Sequence, residues 1–407
     1  MIPKNLNKYV RLIKEYIGRD YTKMFRDADG VLKHKFIVPG ATYSNCLWDW
    51  DSWLTDLALC RVAPQSVILE YEKGCVQNFL DQIEEDGRIG ICLLPGGTHE
   101  LFKKMKNTHK PCLAQHALFV CENSNEYEWI RKDYDKLERF IGYYMKNCKH
   151  ESGLYYWLDD GAIGVDNDPC TFYRPIASSA SIFLNCMMYM ELVAMVKLAR
   201  KLNMPEKATE YEGYANELLL STRENCYDER DGFYYSADIN LLPVEAPFPL
   251  HSGAPRHWSC LIQRIGVWSG FMAMWAKIAT PEQAERMVKE HYKNKKTFCA
   301  PYGVRTLSKM EKMYMVKKTI NPSCWLGPIW GISNYMTFEG LVNYGYYKEA
   351  KELAIKTIKL FGQDVEKNGL FHEYYDPESG EGVNNPGFQN WNFLVINMIE
   401  WLEKTDV

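Results

Sequence analysis

The stretch "GPIWGISNYMTFEGLVNYGYYKEAKELAIKTIKLF", Gly327 to Phe361, sets two helices of different kinds side by side. Its first part, Gly327 to Gly345, is apolar or small nearly all round, and a helix without a charged face has to be buried. Its second part, Tyr347 to Phe361, puts Ala350, Leu353, Ala354, Thr357, Ile358 and Phe361 on one stripe and charges opposite, the pattern of a helix with a wet side. Both kinds recur along the chain. Amphipathic segments fall near 4–17, 64–81, 124–147, 206–223 and 281–292, and dry ones near 48–63, 111–122, 178–199, 259–279 and 387–402. They alternate strictly, wet then dry, six times. Six hairpins with wet outer and dry inner members predict an all-α (α/α)6 barrel, a six-hairpin toroid, in preference to two stacked helical bundles.

Composition agrees with one large core. The 407 residues are 46% hydrophobic and 25% charged, near the globular mean, and no linker, repeat or low-complexity segment interrupts the alternation. The expectation is a single domain over residues 1–407. The net charge of -4 arises from 48 basic and 52 acidic residues scattered without a like-charge block, which argues against a nucleic-acid partner. Thirteen cysteines, an odd count without CxxC pairs, fit reduced thiols better than a disulfide framework and point to no metal cluster. The N-terminal "MIPKNLNKYVRLIKEYIGRD" has no continuous apolar run, and no later segment offers about 18 uncharged apolar residues. The chain is therefore expected to be cytoplasmic, with no membrane partner, and is compatible with a homo-oligomer.

If the helices alternate in direction, the loops leading from outer into inner helices emerge together on one face. These are residues 41–53, 101–115, 155–175, 249–260, 300–330 and 371–391, long and rich in Trp, Tyr, Asp, Glu and Arg, whereas inner-to-outer connections such as "CRVAPQS" are short. Binding groups are usually carried on loops held by a rigid scaffold. The 12 Trp and 27 Tyr exceed ordinary packing needs and suit an aromatic-lined cleft. In "LWDWDSW", Leu47 to Trp53, Trp48 and Trp50 offer stacking faces and Asp51 an acceptor for hydroxyls, a combination that suits sugars; the competing reading is a helix N-terminus capped by Asp49 or Asp51.

Cleavage of a glycosidic bond requires two flanking carboxyl groups. The third loop supplies Asp159, Asp160, Asp166 and Asp168, and the sixth Glu373, Asp376, Glu378 and Glu381. Much of this is turn chemistry, since "VDNDP" and "YDPESGEG" favour tight bends. Glu373 differs: in "GLFHEYY" it lies among aromatics before the turn residues begin. Nine histidines lack HExxH or HxH spacing, which argues against a zinc site, although His99, His109, His116, His251, His257 and His372 lie in or beside the loops. A G-x-S-x-G elbow, GxGxxG and a P-loop are missing. No cofactor or metal is implied.

"LWDWDSW", "GVDNDP" with Arg174 downstream, "CWLGPIWGISNYMTFEGLVNYG" and "GLFHEYYDPESGEG" followed by "GFQNWNFLVINMI" stand in the order typical of inverting (α/α)6 glycosidases. The chain resembles glycoside hydrolase family 63 and its relative trehalase, especially the compact mannosylglycerate and glucosylglycerate hydrolases, over roughly residues 40 to 405. The resemblance implies Asp166 as general acid and Glu373 as general base. It also implies substrate binding by Trp48, Trp50, Asp51, Gln115, Arg174, Trp325, Gly327 and Trp330. Asn167, Asp168, Pro169 and Cys170 stand where the family usually has Asn-Ser-Pro-Arg after the acid, a departure that bears on the substrate. The expected function is inverting hydrolysis of a small α-linked glucoside or mannoside, of the glucosylglycerate, mannosylglycerate or α-glucobiose type. For a glycerate carboxylate, Arg174, Arg256 or Arg305 would supply the cation. The alternatives are a toroid sugar epimerase with a central His251, His257 or His372, and a non-catalytic carbohydrate-binding protein.

Overall fold

The computed structural model describes residues 2–241, 257–317 and 319–405. Among these, twelve helical stretches follow in the predicted order, outer then inner. The pairs are Asn7–Asp20 (α1) with Asp49–Leu59 (α2), Gln65–Asp81 (α3) with Leu113–Ser124 (α4), and Tyr134–Asn147 (α5) with Ile182–Lys201 (α6). Then come Pro205–Cys226 (α7) with Met272–Trp275 (α8), Pro281–Arg286 (α9) with Gly331–Asn343 (α10), and Tyr347–Asn368 (α11) with Val395–Lys404 (α12).

The stretch that decided the prediction folds as read. In α10, Gly331 to Phe338 are buried without a break; in α11 burial follows the stripe through Ala350, Leu353, Ala354, Thr357, Ile358 and Phe361. Gly369, with φ +73, ends α11 in the left-handed conformation that a side chain disfavours. Thr280 and Gln283 form a reciprocal capping box at the start of α9, with Pro281 in the first helical position.

The inner helices touch in a closed ring, α2 to α4, α6, α8, α10, α12 and back to α2, and the outer ring closes where α1 packs along α11. At that seam a β-carbon on Gly362 would meet the Tyr9 β-carbon at 2.3 Å, so glycine sets how near the two helices come. Core residues from Leu6 to Leu402 form one packed cluster. This is the (α/α)6 barrel. One inner helix, α6, is by length and composition apolar enough to cross a bilayer, which the sequence reading did not anticipate; 78% of its most apolar window is buried inside the ring.

Three segments depart from the prediction. The dry segment near 259–279 is helical only from Trp268, because Leu261–Gln263 pairs antiparallel with Ser236–Asp238, and β-branched Ile262, Ile265 and Val267 suit an extended chain. The amphipathic segment 281–292 leaves the α conformation after Arg286 and finishes as a π-helical turn, Met287–Tyr292. Near 124–147, Asn125 in the left-handed region stops α4, and a short helix, Glu128–Arg131, precedes α5. Short strands also knit the loop face together. Leu47–Trp48, Ser179–Ala180 and Ile329–Trp330, which lead into α2, α6 and α10, pair with Cys92–Leu94, Ser236–Asp238 and Tyr374–Tyr375 respectively. His251 and Arg256 lie outside the described residues.

Candidate active site

Where the outer-to-inner loops meet, a cavity of about 380 Å³ is lined by residues from the first, second, third, fifth and sixth of them. Exposure grades its lining. The deepest part is indole: Trp50, Trp325, Trp330 and Trp391 are each at most 4% exposed. Trp325 and Trp330 stack 3.9 Å apart and 10° from parallel, and Trp50 lies 5.0 Å from Trp391. Tyr43, Trp48, Lys110, Ser323 and the two carboxyls Asp166 and Glu373 form the walls, while Leu101, Phe102, Met105, Asp160, Phe172 and Asn321 form the mouth.

The two carboxyls are positioned by one aromatic element. Asn167, next to Asp166, accepts a 2.7 Å hydrogen bond through its side-chain oxygen from the Trp325 backbone N–H, which ties the third loop to the fifth. Glu373 precedes the strand Tyr374–Tyr375, in which Tyr374 is registered against Trp330. The stacked Trp325–Trp330 pair therefore stands behind both. Its own ring N–H groups donate to Ser323 Oγ at 3.2 Å and to the Cys324 carbonyl at 2.8 Å, which holds the rings in place.

The electrostatics of the pair follow from burial. Glu373 is 4% exposed, and burial pushes its carboxyl up to about 7; Asn384 and Asn385 pull it down, and the Asp166 charge pushes it further up. Each of its oxygens has a donor, Oε1 from Tyr43 Oη at 3.3 Å and Oε2 from Asn384 Nδ2 at 3.0 Å. Burial also raises Asp166 above the ordinary carboxylate value, against the opposing pull of the Ser323 hydroxyl and the Lys110 ammonium. Asp51 is pushed up to about 7 by burial and by Asp49, and accepts from Asn390 Nδ2 at 2.5 Å. Beneath it Lys110 Nζ bonds both Asp49 oxygens at 2.9 and 3.0 Å and lies 5.4 Å over the Trp50 ring. Burial would raise Asp49, but Lys110, His109 and their donors outweigh it and hold the carboxyl low. Gly164, with φ +86, passes this cluster; a β-carbon there would meet Lys110 Cε at 2.5 Å.

Of the residues singled out in the sequence, Trp48, Trp50, Asp51, Asp160, Asp166, Trp325, Trp330 and Glu373 line the cavity. Three that the resemblance assigned to binding do not. Gln115 spends its amide on the Pro111 and Met187 carbonyls, at 2.7 and 3.1 Å, inside the core. Arg174 is ion-paired with Asp238. Gly327 packs under Tyr314, whose ring a β-carbon would meet at 2.6 Å. The turn acids behave as turn acids: Asp376 accepts the Glu378 and Ser379 N–H groups, Glu378 pairs with Arg305 and Lys309, and Glu381 pairs with Lys367. Asp168 accepts the Cys170 N–H within its turn.

Among the described residues no histidine lines the cavity. His109 bonds the Lys110 carbonyl, His116 pairs with Asp56, and His372 with Asp364. The residues that sequence reasoning missed are Tyr43, Lys110, Ser323, Phe102 and Trp391. Each lay in or beside a quoted loop, but residue type alone did not distinguish it. Two indole N–H groups of the lining, on Trp48 and Trp391, have no acceptor among the described residues. The walls therefore offer carboxylate acceptors and flat apolar rings together, the complement of a carbohydrate.

A family model described as "Mannosylglycerate hydrolase MGH1-like glycoside hydrolase domain" matches residues 43–391. The chain is 23% identical to a probable mannosyl-oligosaccharide glucosidase of Schizosaccharomyces pombe over 295 residues, 67% of this chain and 33% of that one. It is 28% identical to mannosylglycerate hydrolase MGH1 of Selaginella moellendorffii over 200 residues, 47% of this chain and 37% of that one. The match thus spans about a third of the length of these relatives. Among solved structures, the GH63 mannosylglycerate hydrolase of Thermus thermophilus in complex with glucose superposes with a TM-score of 0.67 at 17% identity, covering 97% of this chain and 99% of that one. At that identity the likeness speaks to the fold.

Proposed function

Since the chain belongs to the mannosylglycerate hydrolase MGH1-like glycoside hydrolase family, within the wider family 63 that its sequence resembles, we propose that it hydrolyses a small α-linked glucoside or mannoside with inversion, as one catalytic domain over residues 1–407. The observation that carries this reading is the meeting of Asp166 and Glu373, from the third and sixth loops, in one indole-floored cavity. The sugar ring sits over Trp50, Trp325, Trp330 and Trp391, with hydroxyls bonded to Asp51.

In the proposed reaction Asp166 donates its proton to the glycosidic oxygen while Glu373 takes a proton from a water on the opposite face of the ring. That water attacks the anomeric carbon as the bond to the leaving group breaks. Burial raises both carboxyls above the ordinary carboxylate value, and the step needs Asp166 protonated and Glu373 ionised. Tyr43 and Asn384 orient the Glu373 oxygens as a base. Room for the water calls for carboxyl groups about 6.5–9.5 Å apart. The test is turnover of α-glucosides and α-mannosides followed by NMR. Release of the β-anomer first, lost in both Asp166→Asn and Glu373→Gln, supports the reading; release of the α-anomer or undiminished turnover in either variant rejects it.

A further inference from the structure

We propose that the leaving group accepted by this cavity is neutral and presents an apolar face, unlike the acidic glycerate for which the mannosylglycerate hydrolases are named. The inference rests on the glycosidase reading above and concerns the mouth of the same site. Among the described residues, four carboxyl side chains line the cavity, Asp51, Asp160, Asp166 and Glu373, against a single ammonium, Lys110. That ammonium is already committed: it is 2% exposed and bonds both oxygens of Asp49. Two of the three other cations that the sequence offered for a carboxylate are also spent. Arg174 pairs with Asp238, and Arg305 with Glu378 and the Cys299 carbonyl; Arg256 lies outside the described residues. An anionic leaving group would have to share the site with the ionised base, Glu373, with no free cation beside it among the described lining residues, and like charges brought together on binding cost several kcal/mol.

The mouth is apolar instead. Leu101, Phe102 and Met105 come from one short segment, with Leu101 59% exposed, and Phe172 lines the cavity from the third loop. Asn107 fastens this segment to the loop that carries Asp166 by donating to the Asp159 and Gly161 carbonyls at 2.8 and 2.7 Å. The apolar surface is thus held against the side of the cavity from which the acid works, where the departing group must lie. Asp160 adds one hydroxyl acceptor at the rim. The C–H face of a second hexose, or an alkyl chain, covers such a surface; a carboxylate does not.

The test uses matched substrates. In both the gluco and manno series, kcat/KM is compared for the 2-O-α-glycosyl-D-glycerate and the 2-O-α-glycosylglycerol, which differ by a carboxylate against a hydroxymethyl group. An α-linked disaccharide and a hexyl α-glycoside serve as the two apolar-faced arms. The glycosyl fluorides, whose leaving group fills no mouth, report glycosidase activity alone. Fluoride hydrolysis together with a preference of at least about tenfold for the neutral compounds, as expected from the like-charge cost, supports the inference, and the faster apolar-faced arm identifies the source of that face. Fluoride hydrolysis with glycerate preferred or equal overturns the inference and leaves the glycosidase reading standing. No hydrolysis of either fluoride removes both. As a second measurement, Leu101→Lys places a cation on an exposed position, with folding checked by circular dichroism. It should narrow the neutral-to-anionic ratio by severalfold; an unchanged ratio counts against the assigned mouth.

Discussion

The floor of the cavity and its mouth are held in different ways. At the floor, Trp325 and Trp330 stack at 3.9 Å with their ring N–H groups bonded to neighbouring groups, and a strand pair registers Trp330 against Tyr374 beside Glu373. At the mouth, Leu101 and Phe102 sit on the four-residue helix Glu100–Lys103, and Leu101 is largely exposed. A site works by keeping its reacting groups fixed, since small displacements of a catalytic group cost rate. The floor meets that need through packing and hydrogen bonds shared with the core, whereas the mouth can change without disturbing them. On the proposed reading, the chemistry falls in the rigid part and the choice of leaving group in the replaceable part.

The sharpest way to break the comparison is at the carboxyls. Asp166→Asn and Glu373→Gln should each lower kcat by about 100-fold to 10,000-fold, the usual contribution of a general acid or base, while circular dichroism stays that of the folded protein. Next, Trp330→Ala should cost about 3–5 kcal/mol of stability in denaturant titration, because it empties a fully packed site; a loss below about 1 kcal/mol would mean that the floor is not rigid. Asn167→Ala leaves the buried Trp325 N–H without its acceptor, and about 1–3 kcal/mol should disappear, with kcat falling as the third loop loosens. Leu101→Ser should change stability by no more than about 0.5 kcal/mol, with its effect confined to KM for apolar leaving groups.

Proton linkage separates the two regions in another way. Burial pushes Glu373 and Asp51 up to about 7, so the folded chain holds protons there that the unfolded chain has already released. Their contribution to stability is fully present below the ordinary carboxylate range and is lost as pH rises from about 4 through about 7. Asp51→Asn and Glu373→Gln should each flatten that fall in denaturation midpoints across the range, whereas Leu101→Ser should leave it intact. For activity, a pair that must share one proton predicts a bell-shaped kcat/KM, with an optimum above the ordinary carboxylate range.

Most of the helices were legible because burial writes its period into a chain. The dry run that became α10 and the striped run that became α11 needed no tertiary information. The segment near 259–279 misled because its strand partner, Ser236–Asp238, lies far upstream, and an apolar β-branched run reads equally well as buried helix. In the site, Glu373 was separable from Asp376 and Glu378 because no turn residue surrounds it. Lys110 was not legible: its meaning depends on Asp49, 61 residues away, and a loop lysine is ordinarily solvated. Gln115 and Arg174 carried over by resemblance, yet their polar groups are satisfied within the core and by Asp238, and neither lines the cavity.

The indoles of the floor also make the protein its own optical gauge. Trp50, Trp325, Trp330 and Trp391 form a chain of neighbours 3.9–6.4 Å apart, close enough for their electronic transitions to couple. A near-ultraviolet dichroic band should therefore report the integrity of the floor, and would vanish where fixed packing is lost. Its displacement on titration with a sugar would register occupancy without a label and without turnover.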